Sequence, residues 1–284
     1  MVSPLTCEQK ERYAAHGCVF PIDVLMRAEA AHYRRRLEDM EARCGSLHYS
    51  PKPHLTFTFA DELIRDARIL DPVEAIIGPH LLVWDSTFII KEATDARFVS
   101  WHQDLTYWGL EPPDVVSVWL ALSPSTPQSG CMRFVPGSHT VQLPHHDTFA
   151  EQNILSRGQE VTVEVDEQQA VDIVLAPGQM SLHHGRVVHG SAPNRSGDRR
   201  IGFNIQYLPT HVRQVVGRRD SATLVRGVDR YGHFAEECRP SADFTPEALL
   251  AFRQGLAERR SEYLYRGANR PLGVLNEERG SHDA

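Results

Sequence analysis

The chain has 284 residues, 41% of them hydrophobic and 24% charged, with a formal net charge of −7. That balance fits an ordinary globular protein with a sizeable core, and it argues against a general nucleic-acid binder, which carries a basic face and a high pI. Five scattered cysteines (Cys7, Cys18, Cys44, Cys131 and Cys238) contain no CxxC pair, so neither a disulfide framework nor a zinc-finger pattern is indicated.

The first residues, MVSPLTCEQKERYAAHG, are polar and lack the apolar stretch of a secretory signal. No apolar run approaches the roughly 18 residues of a membrane span. A soluble, cytoplasmic protein without membrane or nucleic-acid partners is the expectation. The basic clusters at Arg34-Arg35-Arg36 and at 213–219 read as solvated faces or local anion sites.

Thr6 and Gln9 resemble a capping box, which predicts a helix through about residue 15, closed by His16-Gly17. Cys18-Val19-Phe20-Pro21 reads as a short extended entry. A second helix is predicted over about 24–43, with Leu25, Ala28, Ala31, Tyr33 and Leu37 on one face. A third helical stretch covers about 61–77, interrupted at Asp71-Pro72 and ended by Gly78-Pro79. From Leu81 onward the pattern turns to strand, over 81–84, 87–90, 115–122, 159–165, 171–175, 180–184 and 200–208. Turn signals separate these runs, among them Glu111-Pro112-Pro113-Asp114, Pro136-Gly137-Ser138, Ala176-Pro177-Gly178 and Asn194-Arg195-Ser196-Gly197. A last helix is predicted over about 245–262, with a loose end. The whole reads as one domain over 1–284. It has a helical N-terminal third, a mainly β core of sandwich or barrel type at about 81–210, and a helical C-terminal segment.

Fifteen histidines make a histidine alone uninformative. His102-Gln103-Asp104 is different, because on extended chain an imidazole and a carboxylate at i and i+2 share a face. Two such groups and a second imidazole make a facial triad that leaves coordination positions open and favours iron(II). His189-Gly190-Ser191 is followed by Arg200 at the start of a strand. There Arg200, Gly202, Asn204 and Gln206 alternate with Ile201, Phe203, Ile205 and Tyr207. The guanidinium then lies on a polar face, with a close approach allowed by Gly202. Its planar fork suits a carboxylate. Each group alone reads as easily as an exposed loop histidine or a solvent-facing arginine; the set reads as a site for a metal and 2-oxoglutarate.

Trp101-His102-Gln103-Asp104 with Tyr107-Trp108 comes first in the chain. Ser129-Gly130-Cys131-Met132 with Pro136-Gly137-Ser138-His139 follows, and His189-Gly190-Ser191 through Arg200 comes last. In that order these motifs resemble the phytanoyl-CoA dioxygenase family, over about residues 50–210. The resemblance implies a double-stranded β-helix (jelly-roll, cupin-like) core with flanking helices, and iron(II), 2-oxoglutarate and O2 as metal and cosubstrates. It implies that His102, Asp104 and His189 are the iron ligands, that Arg200 pairs with the distal carboxylate of 2-oxoglutarate, and that Ser191 lies beside it. Gln103 and Trp119 fall near positions lining the cosubstrate pocket, and His54 falls where a basic family residue touches the cosubstrate. Family members that halogenate replace the carboxylate ligand by a small residue, so Asp104 points away from halogenation.

Tyr107 and Trp108, just beyond Asp104, are candidates for the substrate pocket, and Arg133 and Arg186 for an anionic group; the bland alternatives are core packing and exposed arginines. His183 and His184 compete with His189 as ligand but read better as a strand end that orients a ligand. His145-His146 reads as loop. The expected activity is hydroxylation of a small organic substrate, a polar one rather than a CoA thioester, with release of succinate and CO2. Desaturation, cyclisation or epoxidation would use the same residues. A zinc-dependent cupin-like enzyme would have no use for Arg200, and a non-catalytic jelly-roll binding module no need for an intact ligand set.

Overall fold

The computed structural model describes residues 5–216 and 220–250. Helix α1 (Cys7–His16) begins at a complete capping box: the Thr6 hydroxyl accepts the Gln9 N–H (3.1 Å), and the Gln9 side chain accepts the Thr6 N–H (2.9 Å). It ends at Gly17 in the left-handed region (φ 73°).

Helix α2 (Arg27–Cys44) starts later than the sequence suggests, because Met26 is its N-cap and Glu29 turns back to accept the Met26 N–H (2.6 Å). Leu25 therefore lies before the helix, and Ala28 is exposed. The core-facing stripe is Ala30, Tyr33, Leu37, Met40 and Cys44. The third helical stretch is two helices, α3 (Thr58–Ile64) and α4 (Ala67–Ile77). The break falls at Arg65-Asp66 and not at Pro72, because the Asp66 carboxylate accepts the Arg68 N–H (2.8 Å) and starts a new helix.

The strands, in chain order, are β1 (Cys18–Asp23), β2 (Leu81–Lys91), β3 (Val99–His102), β4 (Leu110–Glu111), β5 (Val116–Ala121), β6 (Met132–Phe134), β7 (His145–Asp147) and β8 (Gln159–Val161). They continue with β9 (Val171–Asp172), β10 (Gln179–His184), β11 (His189–Ser191), β12 (Arg200–Pro209), β13 (Arg213–Gln214), β14 (Ser221–Arg226) and β15 (Ala235–Glu236). A seven-stranded sheet has the order β1-β10-β5-β12-β2-β14-β15, and a four-stranded sheet the order β3-β11-β6-β9. Two ribbons, β4 with β13 and β7 with β8, flank them. The fold is a jelly-roll with flanking helices. The strands reach beyond 81–210 at both ends: the extended entry is edge strand β1, paired antiparallel with β10, and β14 pairs with the other side of β2. The runs at 81–84 and 87–90 form the single strand β2, whereas β8 and β9 are shorter than expected. Most of the expected C-terminal helix, and residues 217–219 of the basic run, lie outside the described residues.

Alternation gives the large sheet two unlike faces. Phe88, Ile90, Val118, Leu120, Leu182, Phe203, Ile205 and Tyr207 pack outward on Phe57, Phe59, Leu63 and Ile64 beneath the helices, forming the main core. Cross-strand register puts polar groups on the inner face: Lys91 beside Arg200, Thr87 beside Asn204, and Asp85 beside Gln206, with Ser117 and His183 continuing the last row. The four-stranded sheet lies over that polar face. Among the described residues no helix is long and apolar enough to cross a membrane.

Candidate metal and cosubstrate site

His102 closes β3, and Asp104 opens the 3-10 turn Asp104–Tyr107. Gln103 between them is extended (φ −119°, ψ 122°), so the i, i+2 geometry survives the end of the strand. His189 opens β11 directly opposite His102 in the register. Their rings lie 4.1 Å apart between centroids. His102 Nε2 is 3.2 Å from one Asp104 oxygen, and His189 Nε2 is 3.9 Å from the other. The three ligand atoms all fall within 4.8 Å of one another. Adjacent donors around an octahedral ion at ~2.1 Å are ~3 Å apart, so the set fits one metal ion with little adjustment.

Both imidazoles are held in the tautomer that such an ion requires. His102 Nδ1 lies 2.9 Å from the Ser100 carbonyl and His189 Nδ1 2.9 Å from the Val187 carbonyl. Each Nδ1–H donates to backbone, and each Nε2 keeps its lone pair for the metal. Burial, reinforced by the neighbouring His102, lowers His189 to about 4. Burial alone would raise the Asp104 carboxyl; the adjacent His189 and His102 outweigh it and hold it at about 2. His183 lies behind His189, with ring centroids 5.3 Å apart, and burial lowers it to about 3. A neutral His183 facing the inside of the sheet supports the His189 ring and adds no charge to the site. His184, on the opposite face of β10, accepts the Arg186 N–H (3.0 Å).

Two cavities meet at His102 and Asp104. The inner one, of ≈ 70 Å³, is lined by Trp119, His183, His189, Ser191 and Arg200. Arg200 is 1% exposed; it donates to the Gly130 carbonyl (2.6 Å) and sits 5.3 Å above the Trp119 ring. Lys91, absent from the sequence reading, is fully buried beside it and donates to the Ser191 hydroxyl (2.7 Å). Burial, and then the charge of Arg200, lower Lys91 to about 6, while burial lowers Arg200 to about 10. The outer cavity, of ≈ 100 Å³, opens past Tyr49, Trp84, Tyr107, Trp108, Asn204 and Gln206. Trp108 packs on Trp84 (5.4 Å between rings), and Tyr107 is tied to Asp147 (3.3 Å), which Arg157 also binds. The β7–β8 ribbon is thereby pinned at the mouth. His145, on β7, accepts the Gln103 N–H (2.9 Å).

Four expected site residues lie elsewhere. The Gln103 side chain is fully buried but points away from the metal, since it follows His102 on extended chain. It donates to the carbonyls of Val141 (2.8 Å) and Arg186 (2.7 Å) and accepts the Leu143 N–H (2.8 Å). His54 bonds Ser86 (2.6 Å), which alternates with the cavity-facing Asp85 and Thr87 and so points to the other face of the sheet. Arg133 is engaged by Glu167 (2.6 Å) and Asp172 (3.3 Å), outward of its neighbours Met132 and Phe134. Arg186 lines a separate surface cleft with His211 and Arg213. The polar pair Asn204 and Gln206 was visible in the alternation of β12 but carried no assignment.

The sequence model of the family described as phytanoyl-CoA dioxygenase (PhyH) matches residues 21–202, well over half of the chain. The peroxisomal phytanoyl-CoA dioxygenase of Homo sapiens is 24% identical over 68% of this chain and 65% of its own length. The chain matches 58% and 65% of the lengths of the first two curated relatives. Among solved structures, the non-haem monooxygenase ThoJ in its apo form is 37% identical with a TM-score of 0.78, covering 89% of this chain and 96% of ThoJ. CytC3 with Fe(II) and α-ketoglutarate is 26% identical with a TM-score of 0.60, covering 82% and 93%. The cytoplasmic expectation does not stand, since the human relative is peroxisomal by name and the absence of a recognised address carries no location. With the facial triad in place and its imidazoles poised for metal, the chain belongs to the phytanoyl-CoA dioxygenase family and is an iron(II)- and 2-oxoglutarate-dependent enzyme.

Proposed function

We propose that the protein hydroxylates a carbon of a compact, polar small molecule. The observation that carries this reading is the meeting of two cavities at His102 and Asp104. One is walled by a buried cation and suits the cosubstrate; the other is walled by aromatic rings and carboxamides and suits the substrate. Iron(II) bound by His102, Asp104 and His189 supplies the oxidising chemistry, in which O2 and 2-oxoglutarate yield succinate, CO2 and one oxygen atom for the substrate.

Arg200 holds the distal carboxylate of 2-oxoglutarate by a charge-assisted pair, Ser191 donates beside it, and Trp119 forms the wall under the guanidinium. Tyr107 and Trp108 shape the outer cavity. Its remaining wall decides the substrate class. Gln206, 4% exposed, has no partner for Oε1, and Asn204 has none for Oδ1. A buried carboxamide oxygen without a partner costs about 1–3 kcal/mol, so this wall favours a substrate that brings hydroxyl, amine or amide donors over an acyl chain.

The test begins with anaerobic addition of iron(II) and 2-oxoglutarate to metal-free protein, read by the visible charge-transfer band of the chelate. Matched pairs of small molecules, each alcohol, amine or amide against its methyl isostere, are then supplied with O2. The expected result is succinate formation stimulated by the donor-bearing member, with a product one oxygen atom heavier. Absence of the band sinks the cosubstrate assignment. A product of unchanged mass, or one lacking two hydrogens, replaces hydroxylation by another oxidative outcome at the same site.

A further inference from the structure

Lys91 touches neither the three metal ligands nor the outer cavity, yet it is among the most deeply buried charged side chains of the described residues. It ends β2 on the inner face, directly beside Arg200 in the register. Its amino nitrogen faces three acceptors, one for each hydrogen of the protonated form: Ser191 Oγ at 2.7 Å, the Ser191 carbonyl at 3.4 Å, and the Ala192 carbonyl. No carboxylate of the described residues bonds Lys91 or Arg200; Asp95, the acid that most raises Lys91, is itself bonded by Arg97 at 2.6 Å. Arg200 Nε has no partner. Two basic side chains therefore share one dry corner with no anion of the chain between them.

We infer that Lys91 is a positioning residue for the cosubstrate, acting through Ser191, an inference that rests on the proposed binding of 2-oxoglutarate in the inner cavity. Three acceptors face the Lys91 nitrogen, and a carboxylate bound beside it favours the protonated form, which can only donate. Ser191 Oγ accepts from Lys91, so its own proton must be directed elsewhere, and the inner cavity that Ser191 lines with Arg200 is the space available. Lys91 thus converts a freely rotating hydroxyl into a donor aimed at the carboxylate that Arg200 binds. Its bonds to the two carbonyls fix the backbone that carries Ser191, two residues beyond the ligand His189. The incoming dicarboxylate supplies the anion that the corner lacks.

Equilibrium binding of 2-oxoglutarate to the iron-loaded protein without O2 tests this by a double-mutant cycle. Lys91→Met and Ser191→Ala are each expected to raise Kd about tenfold, the size of one hydrogen bond to a charged group. Lys91→Met/Ser191→Ala is expected to raise it no further than the larger single change, because Lys91 has nothing left to position. Pyruvate, a 2-oxo acid with no distal carboxylate, is expected to bind wild type and Lys91→Met equally. Multiplying effects in the double variant, an unchanged Kd in Lys91→Met, or an equal loss of pyruvate binding would each overturn the inference. Should Lys91→Met fail to fold, Lys91→Gln keeps an N–H donor without charge; near-wild-type affinity supports positioning, and a loss equal to that of Ser191→Ala overturns it. A wild-type protein that gives no chelate band fails at the earlier step and indicts the cosubstrate reading instead.

Discussion

A methyl group on Gly202 would lie 1.9 Å from Cζ2 of Trp119, because the indole packs directly against the backbone of β12 at this residue. The same ring supports the Arg200 guanidinium from below. Glycine here creates the floor of the inner cavity. Gly202→Ala must push the indole toward the space where the distal carboxylate would sit, or shift the strand. Overpacking of this kind costs about 1–3 kcal/mol. The expected outcome is a lower melting temperature together with a Kd for 2-oxoglutarate raised at least tenfold, while iron content stays at the wild-type level. Unchanged cosubstrate affinity in a folded Gly202→Ala protein would show that the indole is free to move aside.

The carboxylate of the triad is open to a direct test. Asp104 faces both imidazoles, and its low pKa keeps it ionised throughout the neutral range. Asp104→Ala removes the single negative ligand and leaves two neutral imidazoles, which hold iron(II) poorly on their own. Metal analysis after gel filtration should find the variant without iron and the wild type with one equivalent. Because Arg200 and Ser191 remain, addition of 2-oxoglutarate and iron together should restore partial binding. Full iron retention without cosubstrate would refute the role of Asp104.

Gln103 predicts a third outcome, one that the sequence pointed in the wrong direction. Its hydrogen bonds are directed at the backbone of Ser138, Val141, Leu143 and Arg186 and at the side chain of Gln142. These segments hold the loop behind the two ligands that flank it. Gln103→Leu leaves several part-buried backbone groups without their partner, at up to ~1 kcal/mol each. The variant should lose stability to urea and also bind iron ~10- to 100-fold more weakly, as with other residues that orient metal ligands. A loss of 2-oxoglutarate affinity with intact iron affinity would instead place the carboxamide in the cosubstrate pocket.

What the sequence revealed and what it hid follow from range. His102 and Asp104 are two residues apart, so strand geometry alone brings them together. The alternation along 200–207 likewise put Arg200, Gly202, Asn204 and Gln206 on one face, and the structure agrees in the register of β12 with β2 and β5. The role of Cys18–Asp23 as a sheet edge depends on β10, more than a hundred residues away, and no local pattern announces it. His54 was misplaced for the same reason. Its partner Ser86 faces outward only because Asp85 and Thr87 face in, and the direction of β2 is not fixed until the strand is paired. Lys91 continues the inward series of Asp85, Thr87 and Ile89 and could have been found by extending that alternation one step.

The outward face of β2 carries the last prediction. Glu237 is anchored there by Lys52, the Ser221 hydroxyl (2.7 Å), the Thr223 hydroxyl (2.6 Å) and His54 (3.4 Å), with a side chain only 5% exposed. Burial would raise this carboxyl, but the Lys52 charge and the hydrogen bonds outweigh it and hold it well below the usual range. A carboxyl with a depressed folded-state pKa stabilises the fold above its unfolded value of ~4.3, and that contribution is lost as pH falls toward the folded value. Glu237→Gln also leaves Lys52 buried without its counter-charge, at a cost of about 3 kcal/mol near neutral pH. The wild-type and variant stability curves from urea denaturation should therefore be farthest apart near pH 7 and converge below about pH 4. Because the cluster lies on the face of β2 opposite the cavities, the Kd for 2-oxoglutarate should not change. Parallel curves at every pH would mean that Glu237 acts by packing alone, and altered cosubstrate affinity would mean that this face of β2 is coupled to the site.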